Sequence, residues 1–119
     1  MKKLEVGFSG KALTCLMAIQ SAINNGRYDK LSLMAKDFCE LDEREMIEVL
    51  EASVKCKQND LVKAAILVDI TGILSSIRVK NFVKSFIIER LKNCKDEDSQ
   101  FWFKEMLRYL AELPECKWP

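Results

Sequence analysis

Asp42-Glu43-Arg44-Glu45-Met46-Ile47-Glu48-Val49-Leu50-Glu51-Ala52-Ser53-Val54 is the stretch whose reading decides the fold. Asp42 followed three residues later by Glu45 is a variant of the capping box, in which a short side chain satisfies a free amide at a helix start. Behind it, Met46, Ile47, Leu50 and Val54 fall on one helical face, which predicts a helix from Glu43 to about Lys57. Comparable starts stand at Ser9 and Ser76, 33 residues before Asp42 and 34 after it. Helix starts recurring at that period mark stacked pairs of helices, so the chain is expected to be all-α.

Toward the N-terminus, Ser9 caps a helix from Gly10 to Asn24 whose apolar face carries Ala12, Leu16, Ile19 and Ile23. Asn25-Gly26 ends it, since a glycine just past a helix can take the left-handed conformation that closes the last turn. A second helix, Asp29 to Cys39, places Leu31, Met34, Ala35 and Phe38 on its buried stripe. Toward the C-terminus, Gln58-Asn59 closes the third helix and Asp60 is expected to cap the fourth, Leu61 to about Leu74. That helix is apolar over most of its circumference, the pattern of a helix at the centre of a domain.

Ser75-Ser76 predicts a break, the alternative being one long helix kinked at Gly72. A fifth helix from Ile77 to Asn93 follows, carrying Val79, Phe82, Val83, Phe86, Ile87, Ile88 and Leu91. Lys95-Asp96-Glu97-Asp98 reads as a loop. Asp98 or Ser99 is expected to cap a sixth helix, Gln100 to Leu113, which Pro114 stops. The tail, Glu115 to Pro119 with Trp118, reads as frayed unless the indole docks.

Ala22-Ile23-Asn24-Asn25-Gly26-Arg27-Tyr28-Asp29-Lys30-Leu31 resembles the turn of a tetratricopeptide repeat, a glycine followed by an aromatic that packs back between two helices. The resemblance covers one hairpin in three; the other two lack the glycine and the aromatic, so the looser HEAT-like packing fits them better. The expectation is a single helical domain, residues 1–119, of about six antiparallel helices. They form three helical hairpins in a HEAT- or tetratricopeptide-like stack or an irregular helical bundle. The resemblance implies binding of another protein.

Composition narrows the function. Hydrophobic residues make up 49% of the 119 and charged residues 31%, with a net charge of +1, an ordinary globular balance that gives no global sign of nucleic-acid binding. Histidine is absent, which excludes Ser-His and Cys-His dyads and the commonest metal ligand. The glycines Gly7, Gly10, Gly26 and Gly72 are too dispersed to cradle a phosphate. No cofactor, metal or enzymatic activity is therefore expected.

Five scattered cysteines, Cys15, Cys39, Cys56, Cys94 and Cys116, point to reduced thiols packed as small hydrophobes and to a cytoplasmic setting. Cys94 stands apart, because Lys92 and Lys95 flank it and would lower the pKa of an exposed thiol. Met1-Lys2-Lys3 ahead of Ala12 to Ile19 imitates a secretory signal, but Glu5 and Lys11 interrupt it. No segment approaches the ~20 apolar residues of a membrane span.

Three surfaces are candidates for a partner. Between Asp37 and Glu51 lie seven acids, Asp37, Glu40, Asp42, Glu43, Glu45, Glu48 and Glu51, against Arg44 alone, a local charge of −6. Acids in a first turn favour the helix dipole, but Glu48 and Glu51 lie beyond its reach, so the acidic stretch reads either as a solvated helix face or as a surface that steers a basic partner. The fifth helix is basic, with Arg78, Lys80, Lys84, Arg90 and Lys92 against Glu89, but large apolar residues flank its lysines instead of base-reading side chains. Phe101-Trp102-Phe103 opens the sixth helix. Phe103, Leu107 and Leu110 form one stripe, and Trp102, Met106 and Tyr109 a second that is either a core edge or an exposed patch for a partner or a homodimer.

Asp69 is the anomalous charge, placed by helical spacing beside Ala65, Ile66, Gly72 and Ile73. A structural bond to Arg78, Ser75, Ser76 or a helix N-terminus is expected for it, the alternative being a cation from a partner. Taken together, size, reduced cysteines, absent catalytic residues and a concentrated acidic helix resemble the all-helical bacterial immunity proteins, which neutralise toxic nucleases with basic clefts. The resemblance implies that Asp42, Glu43, Glu45, Glu48 and Glu51 occupy such a cleft, with Trp102 or Tyr109 as anchors. Two alternatives remain open: a helical-repeat adaptor of a larger assembly, and a nucleic-acid-associated regulator using the basic fifth helix.

Overall fold

The structure is a computed structural model that describes residues 8–74 and 76–113. Its described residues are all-α, with six helices: α1 (Gly10–Asn25), α2 (Asp29–Cys39), α3 (Glu43–Ser53), α4 (Asp60–Leu74), α5 (Ile77–Lys92) and α6 (Glu97–Glu112). The chain divides into two compact units, residues 1–57 with α1 to α3 and residues 58–119 with α4 to α6. Residues 1–7, Ser75, the expected helix stop Pro114 and the expected tail Glu115 to Pro119 lie outside the described residues.

In the first unit, α1 packs against both α2 and α3. Two neighbours explain why its buried face is wide, with Ala12, Cys15, Leu16, Ala18, Ile19, Ala22 and Ile23 all inside. Leu31, Met34 and Phe38 of α2 and Met46, Val49 and Leu50 of α3 complete this core. Ser9 accepts from the Ala12 amide at 3.2 Å and heads α1 as expected. Gly26 closes it in the left-handed region, φ 68°, with its amide bonded to the Ala22 carbonyl. The tetratricopeptide-like turn departs from its pattern at the aromatic: Tyr28 is 52% exposed and does not insert between the helices.

Helix α3 shows half of a capping box. Asp42 accepts from the Glu45 amide at 2.8 Å, but Glu45 does not reach back to Asp42; its carboxylate accepts from the Ser9 amide at 3.2 Å instead. One acid thus joins the heads of α3 and α1. The helix stops at Ser53, short of the expected Lys57, where the buried Ser53 hydroxyl donates to the Leu50 carbonyl at 2.8 Å. Lys55-Cys56-Lys57-Gln58 offers no large apolar side chain to bury, and its small Cys56 is only partly covered. Val49 and Ser53 take the buried positions expected of Ile47 and Val54, because the stripe of α3 turns toward α1.

In the second unit each of α4, α5 and α6 packs against the other two. The core is Ala64, Ile66, Leu67, Ile70 and Leu74 of α4, Val79, Val83, Phe86 and Ile87 of α5, and Phe103 and Leu110 of α6. Ile88, expected on the apolar face of α5, is exposed, since Val83, Phe86 and Ile87 already fill that face. The break between α4 and α5 is real: Ser76 is extended, and its hydroxyl accepts from the Val79 amide at 3.3 Å.

Two caps differ from expectation. Asn59 heads α4, accepting from the Leu61 amide at 2.6 Å, while Asp60 is the first helical residue. Asp96 heads α6, accepting from the Ser99 amide at 2.9 Å and the Ser99 hydroxyl at 2.7 Å. Asp98 and Ser99 therefore sit inside the first turn. In both cases the side chain that reaches the free amide two or three residues ahead wins over its neighbour nearer the apolar run.

Candidate functional site: an aromatic face on the second unit

Helix α4 has a side it does not bury. Val62, Ala65, Asp69, Gly72 and Ile73 recur at steps of three and four, and Val62 and Ile73 are 37% and 42% exposed. Asp69 is the sole ionisable side chain on this stripe. It is exposed, not sealed in the core, and it forms no hydrogen bond or ion pair with any described residue, which overturns the expected structural bond to Arg78 or Ser76. Its apolar surroundings remove enough water to hold the carboxyl above its ordinary pKa.

Helix α6 supplies the other wall. A Cβ added at Gly72 would lie 3.5 Å from the Tyr109 hydroxyl oxygen, so the phenol tip rests beside the α4 stripe. Tyr109 is 48% exposed, and Trp102, two turns earlier on the same side of α6, is 54% exposed. Met106 between them is half-buried. Phe101 meets Trp102 edge-on, ring centroids 5.1 Å apart and planes at 81°, which holds the indole at an exposed position. The stripe expected to be either core edge or patch is thus exposed, while Phe103 and Leu110 carry the core and Leu107 is half-buried.

The acidic helix is more engaged than its charge suggests. Asp42 is spent on its cap, Glu45 on the Ser9 amide, and Glu48 pairs with Arg44 at 3.5 Å on the outer face of α3. Glu40 pairs with Lys11, which lowers the carboxyl and raises the amine from their ordinary pKa values. Glu43 also has a partner. Glu51 is left exposed, with no bond to another described residue. Of the acids expected to meet a partner, Asp42, Glu43, Glu45 and Glu48 thus have local partners, and Glu51 has none among the described residues.

The basic residues of α5 are likewise drawn into the unit. The Arg90 guanidinium lies 3.5 Å from Asp60 and 4.2 Å above the Phe86 ring, and the Lys80 ammonium donates to the Leu113 carbonyl at 3.4 Å. Asp60 also faces Lys63, whose side chain is 9% exposed, at 3.9 Å. Lys84 and Lys92 remain exposed. Two lysines two turns apart are a thin phosphate-binding surface.

A groove in the first unit was not legible in the sequence. Thr14, Met17, Ala18 and Ser21 of α1 face Lys30, Leu33, Met34 and Asp37 of α2 around a volume of about 570 Å³. Met17 and Leu33, 67% and 76% exposed, stand at its rim. The only sequence signal was that both fall off the predicted core stripes.

Among the described cysteines, Cys15, Cys39, Cys56 and Cys94 are free thiols. Burial pushes Cys15 up to about 11, with smaller contributions from Asp37 and Cys39, so it is an inert packing group. The Cys94 thiol donates to the Asp96 carbonyl at 3.4 Å, inside the turn that heads α6. Cys116 lies outside the described residues. No group of acids and cysteines that could hold a metal, and no helix long and apolar enough to cross a membrane, occurs among the described residues.

Among the described residues, the fold and these surfaces define an all-α protein of two units with three helices each, the second bearing an exposed aromatic face. No protein-family model, curated protein or solved structure matches the chain.

Proposed function

We propose that this protein works by binding another protein. The observation that carries the reading is the exposed stripe of Trp102 and Tyr109 on α6, continuous with Ile73 and Gly72 of α4. Tryptophan and tyrosine are the side chains most often found as energetic anchors at interfaces, and covering about half of each adds apolar burial at little entropic cost. The partner we propose is a basic protein of the toxic-nuclease kind that helical immunity proteins neutralise, steered by Glu48 and Glu51 on the outward face of α3.

The test is affinity purification of the tagged full chain from its host at low and high salt, beside a Trp102→Ala/Tyr109→Ala bait. A stoichiometric basic nuclease bound by the wild type and lost by the double variant is the expected result. The same partner recovered equally by both baits would overturn the assignment to α6.

The α1–α2 groove favours a second reading, an adaptor that receives a segment of a larger assembly. In that case Met17→Asp/Leu33→Asp, and not the α6 variant, would abolish co-purification of a multi-subunit complex.

A further inference from the structure

Asp69 and Tyr109 bring two unpartnered polar groups onto one apolar face. Residues three apart on a helix have Cβ atoms about 5–6 Å apart, so Asp69 stands one turn from Gly72, where the Tyr109 hydroxyl rests. Neither the carboxylate nor the hydroxyl has a hydrogen-bond partner among the described residues. The same α4 stripe carries Val62, Ala65 and Ile73 and no cation, and Trp102 stands two turns before Tyr109 on α6. A carboxylate in that setting loses hydration and receives nothing in return within the fold.

The geometry points to a pocket for an arginine side chain of the partner, its guanidinium on the Asp69 carboxylate and the Tyr109 hydroxyl and its flanking apolar residues on Ile73 and Trp102. The inference rests on the proposed protein-binding role and names what the same face recognises. Charge complementarity selects a cation. Arginine suits the site better than lysine, because its planar fork can pair bidentately with a carboxylate, stack on an aromatic face and shed water at lower cost. A wholly apolar occupant would bury the carboxylate unpaired, which discriminates against it.

The experiment is selection from a phage-displayed library of random 12-residue peptides against the full chain, in parallel with Asp69→Asn, Asp69→Lys and Trp102→Ala/Tyr109→Ala. The expected result is enrichment of arginine between apolar residues on the wild type. Its leading peptide should bind Asp69→Asn about tenfold or more weakly, as for loss of one partner of a desolvated charge pair, and Asp69→Lys should select acidic peptides. Melting curves of the Asp69 variants should match or exceed wild type, since no internal bond is lost.

Peptides lacking a basic residue, equal affinity for wild type and Asp69→Asn, or no enrichment on the wild type would each overturn the arginine pocket. If Asp69→Asn binds unchanged while Trp102→Ala/Tyr109→Ala does not, only the arginine assignment fails. If the double variant also binds unchanged, the aromatic face itself is not the binding surface.

Discussion

Asn59 and Asp60 show how much one position matters at a helix start. Asn59 reaches the Leu61 amide, and Asp60, one residue on, turns instead to Lys63 and Arg90. Their variants should behave differently. Asn59→Ala should cost about 1 kcal/mol, the usual loss of a cap, read by urea unfolding. Asp60→Asn leaves the Lys63 ammonium, buried to 9% exposure, without its facing charge. Because Asp60 is itself half-exposed, water offsets part of that loss, and about 1 to 2 kcal/mol is expected. Gly26 makes a third case: its φ of 68° strains any other side chain, and Gly26→Ala should lose about 1 kcal/mol despite the open space around it.

Titration at the residue scale runs in two directions. Glu40 and Asp96 have lowered pKa values, from Lys11 and from Ser99 respectively, so their contribution is present above the ordinary carboxylate pKa and is lost as pH falls through the folded value. Asp69 has the opposite sign. Its raised pKa favours the folded state while the group is protonated, and that benefit disappears as pH rises through the folded value. Unfolding curves of wild type and Asp69→Asn should therefore converge toward acid pH and separate above the folded pKa of Asp69, with the variant the more stable. A wild type more stable than the variant at neutral pH would restore a structural role for Asp69.

At the scale of elements, α4 is the helix on which the second unit depends. Ile66, Leu67 and Ile70 are fully buried between α5 and α6. Leu67→Ala should cost roughly 2–5 kcal/mol, the range for a buried leucine that leaves a cavity, against little change for Val62→Ala on the outward stripe. An outward stripe that is itself apolar contributes nothing to this core. That is why the near-continuous hydrophobicity of α4, which alone suggests burial on all sides, instead describes a helix buried on one side and unpartnered on the other.

Across the whole molecule, a net charge of +1 conceals its distribution. Most of the concentrated acids fasten local structure, and on α3 Glu48 and Glu51 are the two that can be reversed without breaking a bond to a backbone amide, Glu48 at the loss of its Arg44 pair. Once a basic partner is in hand, Glu48→Lys/Glu51→Lys should slow association several-fold at low salt with little change in dissociation, and the difference should shrink as ionic strength rises. Stopped-flow mixing across a salt series measures this; an unchanged association rate would remove the steering role.

The sequence by itself determined the all-α class, the six helices of the described residues, the caps at Ser9, Asp42 and Ser76, and the glycine closure at Gly26. Each rests on contacts within a few residues, where helical period and cap chemistry suffice. At α4 and α6 the caps are Asn59 and Asp96 in place of the expected Asp60 and Asp98 or Ser99; tertiary structure decided where α3 stops and the exposure of Tyr28, Asp69 and Tyr109. Those depend on how much of each helix its neighbours cover. A periodic apolar stripe states that a side chain can be buried, but only the packing of the other helices determines whether it is, and hence which apolar face is left to meet a partner.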